Sequence, residues 1–249
     1  MGAIKKTLFL LALSALSLWA IFYSYNRLTD GFSVRQISSP LVENQNSTLP
    51  DLMFDQPFFY KGKGCQFYVL EGERGDYVLK FFKQKHLRDH AWISRSHALK
   101  RRQKHEALMR SCQLAYEVIP KETGVLYTHF WKEPGIELPV KIIDKLGRAY
   151  FLNINEYEFI IQKKCTDARE VLSQVGDKEK YLQALEELVS SRCMQGIGDR
   201  DKAFLQNVGF TSEGQALMMD VGQLYEEPLL RQEEEREKEM HKRLHTISS

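Results

Sequence analysis

At 249 residues the chain has room for one ordinary domain, or two lobes, plus an appendage, and 43% hydrophobic with 27% charged residues excludes general disorder. With 35 basic against 33 acidic residues there is no global field to attract nucleic acid, and none is expected as a partner. Cys65, Cys112, Cys165 and Cys193 lie far apart with no Cys-x-x-Cys spacing, which argues against a zinc site and for buried free thiols, while an even count leaves one or two disulfides open.

Lys5 and Lys6 precede an uncharged run, 7–23, near the lower length limit for spanning a bilayer. It ends among Trp19, Phe22, Tyr23 and Tyr25, an aromatic set suited to the membrane–water interface. Residues 1–25 therefore read as an uncleaved signal anchor; the rival, a cleaved signal peptide, would have a shorter apolar core and a small-x-small site. The two lysines predict a cytoplasmic N-terminus and a domain across the membrane, in a periplasm or secretory lumen. Arg27 and Arg35 on the other flank weaken that bias and leave a cytoplasm-facing domain open. Residues 26–57, rich in Ser, Asn, Gln and Pro, read as a loosely ordered tether making few core contacts. Its sequon, Asn46-Ser47-Thr48, is of a kind common by chance in such a linker.

Beyond Pro57, strand-like runs at 58–60, 67–70 and 77–82 are separated by turns, the first holding Gly62 and Gly64. Glycines there let backbone N–H groups approach phosphates closely. Lys80 directly follows the apolar pair Val78-Leu79, with Lys83 as its competitor, although a strand lysine more commonly faces solvent. Residues 94–118 carry helical spacing, with Glu106 mid-helix, Glu117 near its end, and a basic face most simply explained by solvation. Further strands are expected at 124–131, 150–154 and 159–161, and an amphipathic helix over 178–194.

The densest signal lies at 196–224. Asp199 and Asp201 precede Asn207 at the mouth of a short apolar run; a polar turn follows, and a second run ends in Asp220-Val221-Gly222. Hairpin pairing brings Asn207 and Asp220 to one end, and an amide oxygen with a carboxylate suits Mg²⁺ held against phosphates. An acidic loop beside an ordinary hairpin is the plainer alternative.

Taken in order, Gly-x-Gly, strand Lys, helix Glu, Asp…Asn and Asp-x-Gly resemble the protein-kinase-like superfamily, in a compact, atypical form with an abbreviated C-terminal lobe. The resemblance spans 58–224. It implies an α+β, two-lobed fold behind the transmembrane helix: a small antiparallel sheet with one helix (58–164), then a short, mostly helical lobe with the catalytic and metal loop (165–225). A polar C-terminal helix (226–249) would follow. It also implies ATP between the lobes, bound at Gly62, Gly64 and Lys80, with Lys80 steadied by Glu106. Asn207 and Asp220 would hold Mg²⁺, and Asp201 would orient and deprotonate an acceptor hydroxyl. Three departures stand out. Asp201 and Asn207 enclose five residues where the family has four, Asp199 replaces a His, and Val221 replaces a Phe. A pseudokinase acting as a membrane-tethered binding module is therefore the alternative, and a structural protein without a nucleotide site is the third.

Overall fold

The computed structural model describes residues 2–39, 41–44, 53–84, 87 and 95–248. The sequon and most of the loop inserted at 84–92 lie outside these residues. The chain opens on one uninterrupted helix, α1 (Gly2–Thr29), in which Lys6–Thr29 is long and apolar enough to cross a membrane. The apolar stretch is exposed throughout.

The segment after α1 corrects the expectation of a loose tether. Asp30 takes a left-handed turn with φ 54°, and the short helix α2 (Val34–Ile37) follows. Phe32, Ile37 and Phe54 are all buried. They cover one face of the sheet, where Tyr68, Leu70, Leu79, Phe81, Val140 and Ile142 would otherwise meet water.

That sheet contains β1 (Phe58–Lys63), β2 (Phe67–Gly72), β3 (Tyr77–Phe82), β4 (Val125–His129), β5 (Pro139–Ile143), β6 (Ala149–Asn153) and β7 (Phe159–Lys163). Its order is β4-β7-β3-β2-β1-β5-β6, with every neighbouring pair antiparallel except β1 and β5. After β4 the chain crosses to the far edge, forms the β5–β6 hairpin, and returns to the interior as β7. Strand β5 is not evident in the sequence: it is five residues long, opens on Pro139 and carries Lys141 at its centre.

Helices α3 (Arg95–Glu117) and α4 (Pro120–Thr123) lie between β3 and β4. The second half contains β8 (Thr166–Asp167), α5 (Ala168–Gln174), α6 (Glu179–Met194), β9 (Ile197–Asp199), β10 (Val208–Phe210), β11 (Ala216–Met218), β12 (Leu224–Glu226) and α7 (Glu233–Ser248). Strand β10 pairs with β11 and β8, while β9 pairs with β12. A second core joins Phe82 and Ile160 to Leu108, Cys112, Leu185 and Val221.

Helix α7 also departs from the solvated helix its sequence suggests. Met240 and Leu244 pack on the second core, and Arg243 is buried.

Candidate functional site

Strand alternation decides where Lys80 points. Leu79 and Phe81 enter the core beneath Phe54, so Lys80 between them emerges on the opposite face, toward the second half of the chain. Its ammonium is buried and donates to the Met219 carbonyl at 2.6 Å. Burial lowers its pKa, and the nearby Asp220 carboxylate opposes that shift. The buried Cys112 on α3 and the half-buried Cys165 also act on its charge.

The β10–β11 hairpin positions the acidic side. Its register sets Val208 opposite Met218, so Asn207 and Asp220 leave at the same end. The Asn207 carbonyl accepts from the Met219 N–H at 2.6 Å and from the Asp220 N–H at 3.3 Å, and an Asp220 oxygen accepts from the Gly222 N–H at 2.9 Å. A 3₁₀ turn, Phe204–Gln206, takes up the longer interval between Asp201 and Asn207, closing with the Asn207 N–H on the Phe204 carbonyl.

Three side chains tie this end to the sheet and to α3. Gln162 on β7 donates to the carbonyls of Thr123 and Met218, at 2.6 and 2.7 Å. Ser111 on α3 donates to the Val221 carbonyl at 2.5 Å and accepts from the Leu224 N–H at 2.7 Å. Gln66, in the turn after β1, packs so closely on Gly222 that a Cβ there would fall 2.1 Å from its amide oxygen. Beside Gly62 and Gly64, by contrast, a Cβ would meet nothing within 4 Å, which leaves the turn open to a ligand. Each of these ties joins residues distant in sequence, so no local pattern announces them.

The structure does not bring Glu106 to Lys80. Glu106 is exposed and lines a cavity of about 380 Å³ with Ser38, Ser39, Gln84 and His105. On α3 the side toward Lys80 belongs to Cys112, and six residues along a helix place Glu106 about 120° around the axis from it. The sequence-based pairing is corrected accordingly.

Asp201 lies on the loop after β9. One of its carboxylate oxygens accepts from the Ala203 N–H at 2.9 Å, and the Gln223 amide lies 3.5 Å from the other. Its own N–H donates to Asp199 at 2.9 Å. The loop is fastened from behind by α7, where Arg243 donates to the carbonyls of Asp199 and Asp201 and pairs with Glu239 at 2.8 Å. Glu239 also receives Arg192 of α6 at 2.9 Å. Burial pushes the Asp199 carboxyl up. Burial also opposes ionisation of Glu239, but Arg243 and Arg192 outweigh it and hold that carboxyl below its ordinary value.

A pH dependence follows for the docking of α7. Because the folded state lowers the Glu239 pKa, its contribution is complete above the ordinary value of 4.5 and is lost as pH falls through the folded one. Thermal unfolding of Glu239→Gln should therefore lose part of the acid-side decline expected of the parent as pH falls below 4.5. Parallel curves for the two proteins would remove Glu239 from the account.

Among the described residues no three His, Cys, Asp or Glu side chains gather to hold a metal unaided. One carboxylate and one amide form a set that Mg²⁺ completes with water and phosphate oxygens, so Asn207 and Asp220 fit that ion.

No family model and no curated protein matches the chain. Solved structures do match it in part. The 2.2 Å structure of WbdD is 18% identical over 66% of this chain and 32% of its own, with a TM-score of 0.38. WbdD crystallised with a kinase inhibitor is 17% identical over 68% and 33%, with a TM-score of 0.39, and WbdD is described as a bifunctional kinase–methyltransferase. The Rv3197–erythromycin complex from Mycobacterium tuberculosis is 13% identical over 70% and 48%, with a TM-score of 0.37. The chain spans about a third of the length of WbdD and about half that of Rv3197. Likeness at this level carries no argument of its own.

Proposed function

We propose that the chain is a membrane-anchored, kinase-like protein that binds ATP with Mg²⁺ and transfers a phosphoryl group to a hydroxyl acceptor. The observation that carries this reading is the meeting of three distant motifs, in which Lys80 reaches Met219 beside Asp220, and both follow from the Asn207 hairpin. Lys80 exchanges its carbonyl partner for phosphate oxygens, a buried point charge meeting an anion. Asn207 and Asp220 would hold Mg²⁺, which would supply neutralisation of phosphate charge. The glycine turn covers the phosphates, and Asp201 orients the acceptor and takes its proton. The lysine bias at the N-terminus favours a domain facing away from the cytoplasm, whereas ATP as the donor favours a cytoplasmic one; a C-terminal tag shielded from an impermeant label in intact cells, and labelled after permeabilisation, would assign the domain to the cytoplasm.

A binding module without turnover is the second reading. It is favoured by one observation, that Glu106 faces away from Lys80 and leaves this lysine without an acidic partner on α3.

Mg²⁺–ATP titration separates these possibilities from a protein with no nucleotide site. Saturation at about a hundred times Kd should stabilise the fold by about 2.7 kcal/mol. Lys80→Met, Asp220→Asn and Asn207→Ala should each weaken binding about tenfold or more, since each removes a contact to a charged group. Unchanged affinity in all three would sink the site. Hydrolysis or transfer by the parent then distinguishes enzyme from binding module.

A further inference from the structure

We infer that the β5–β6 turn is a second membrane contact, seated on an anionic bilayer surface beside α1. The inference rests on reading α1 as a membrane span.

Helix α1 does not simply end near the domain. One turn before Thr29, Tyr25 meets the β5–β6 turn, where the Arg148 guanidinium lies 5.7 Å from its ring centre and 3.2 Å from its hydroxyl. Just after the helix, Asp30 pairs with Lys145 of the same turn at 2.9 Å and with Lys63 at the end of β1 at 3.7 Å. These contacts fix the height of the hairpin relative to the helix. Tyr25 belongs to the aromatic group that ends the apolar run, and such residues sit at headgroup level. A turn bonded to Tyr25 is therefore at headgroup level too.

The composition of the turn suits that place. Leu146 at its tip is 46% exposed. Lys145 and Arg148 flank it, and Lys63 lies alongside, while Asp30 and Asp144 supply the opposing charge. The balance is positive, and basic groups within a Debye length of an anionic leaflet are attracted to it. Leu146 contributes an apolar side chain that gains by leaving water for the acyl boundary.

The test uses the full chain in vesicles, with exposed Cys65 changed to Ser and an environment-sensitive fluorophore on Leu146→Cys. A matching label on Ser212→Cys, exposed on the β10–β11 turn, is the control. In vesicles one third anionic, a shallow spin-labelled lipid should quench the Leu146 label at least twofold more than the Ser212 label, and zwitterionic vesicles should narrow the difference. Equal quenching at the two labels, in protein that resists alkaline carbonate, overturns the hairpin contact while leaving the anchor intact. Release of the protein by carbonate overturns it differently, by showing that α1 does not span.

Discussion

Replacing Arg243 by Ala should destabilise the protein by about 3–5 kcal/mol, since truncating one member of a buried ionic cluster strands the others. The guanidinium holds two backbone carbonyls of the Asp199–Asp201 loop and pairs with Glu239, and both Arg243 and Asp199 are buried. Without it, the Glu239 carboxylate keeps only Arg192 and Lys242, and the loop carbonyls lose their donor. In a chain of this size the loss corresponds to a fall in Tm of about 6–20 °C. Arg243→Lys should recover only part of it, because an ammonium cannot spread its donors across two carbonyls and a carboxylate as the planar fork does. Calorimetry of the three proteins decides the matter, and a change below about 1 kcal/mol for the Ala variant would show that α7 merely rests on the loop.

The second large effect concerns residues between the anchor and the sheet. Phe32 packs edge-on against Tyr68 with ring centres 5.2 Å apart, and Ile37 has no exposed surface. Truncation to Ala should cost about 3–5 kcal/mol at Phe32 and about 2–5 kcal/mol at Ile37. A chain beginning at Leu49 loses both, and the sum rivals the whole stability of an ordinary domain, about 5–15 kcal/mol. It should be insoluble or unfold without cooperativity, whereas one beginning at Tyr25 should fold. Cooperative denaturant unfolding of the shorter form would show that the sheet closes without this cover.

These two effects mark where the sequence is silent. The hairpin between Asn207 and Asp220 is legible because turn residues separate two short apolar runs, a local pattern. Lys80 is legible for a similar reason, since the strand places it and the alternation of Leu79 and Phe81 aims it. Phe32, Ile37 and Phe54 show no period of two or 3.6, so nothing in the linker announces that they cover a sheet. Glu106 fails as a choice because helical phase, not closeness to apolar neighbours, decides which side of α3 faces Lys80. Arg243 is hidden in another way. Its pairing with Glu239 four residues earlier is what a solvated helix also displays, and only the loop docked behind it reveals the burial.

The direct passage from α1 into the buried Phe32 has a mechanical meaning. A loose tether over 26–57 would let the domain wander about 30 Å from its point of attachment. With Asp30 and Phe32 fixed to the sheet, the slack disappears and the domain rides on a stiff post. If α1 spans a bilayer as proposed, the Lys80–Asp220 site sweeps a thin shell at constant altitude above the lipid. An acceptor held at that altitude would be met again and again, while one free in solution must diffuse into the shell, so reach itself would filter what the proposed site can serve.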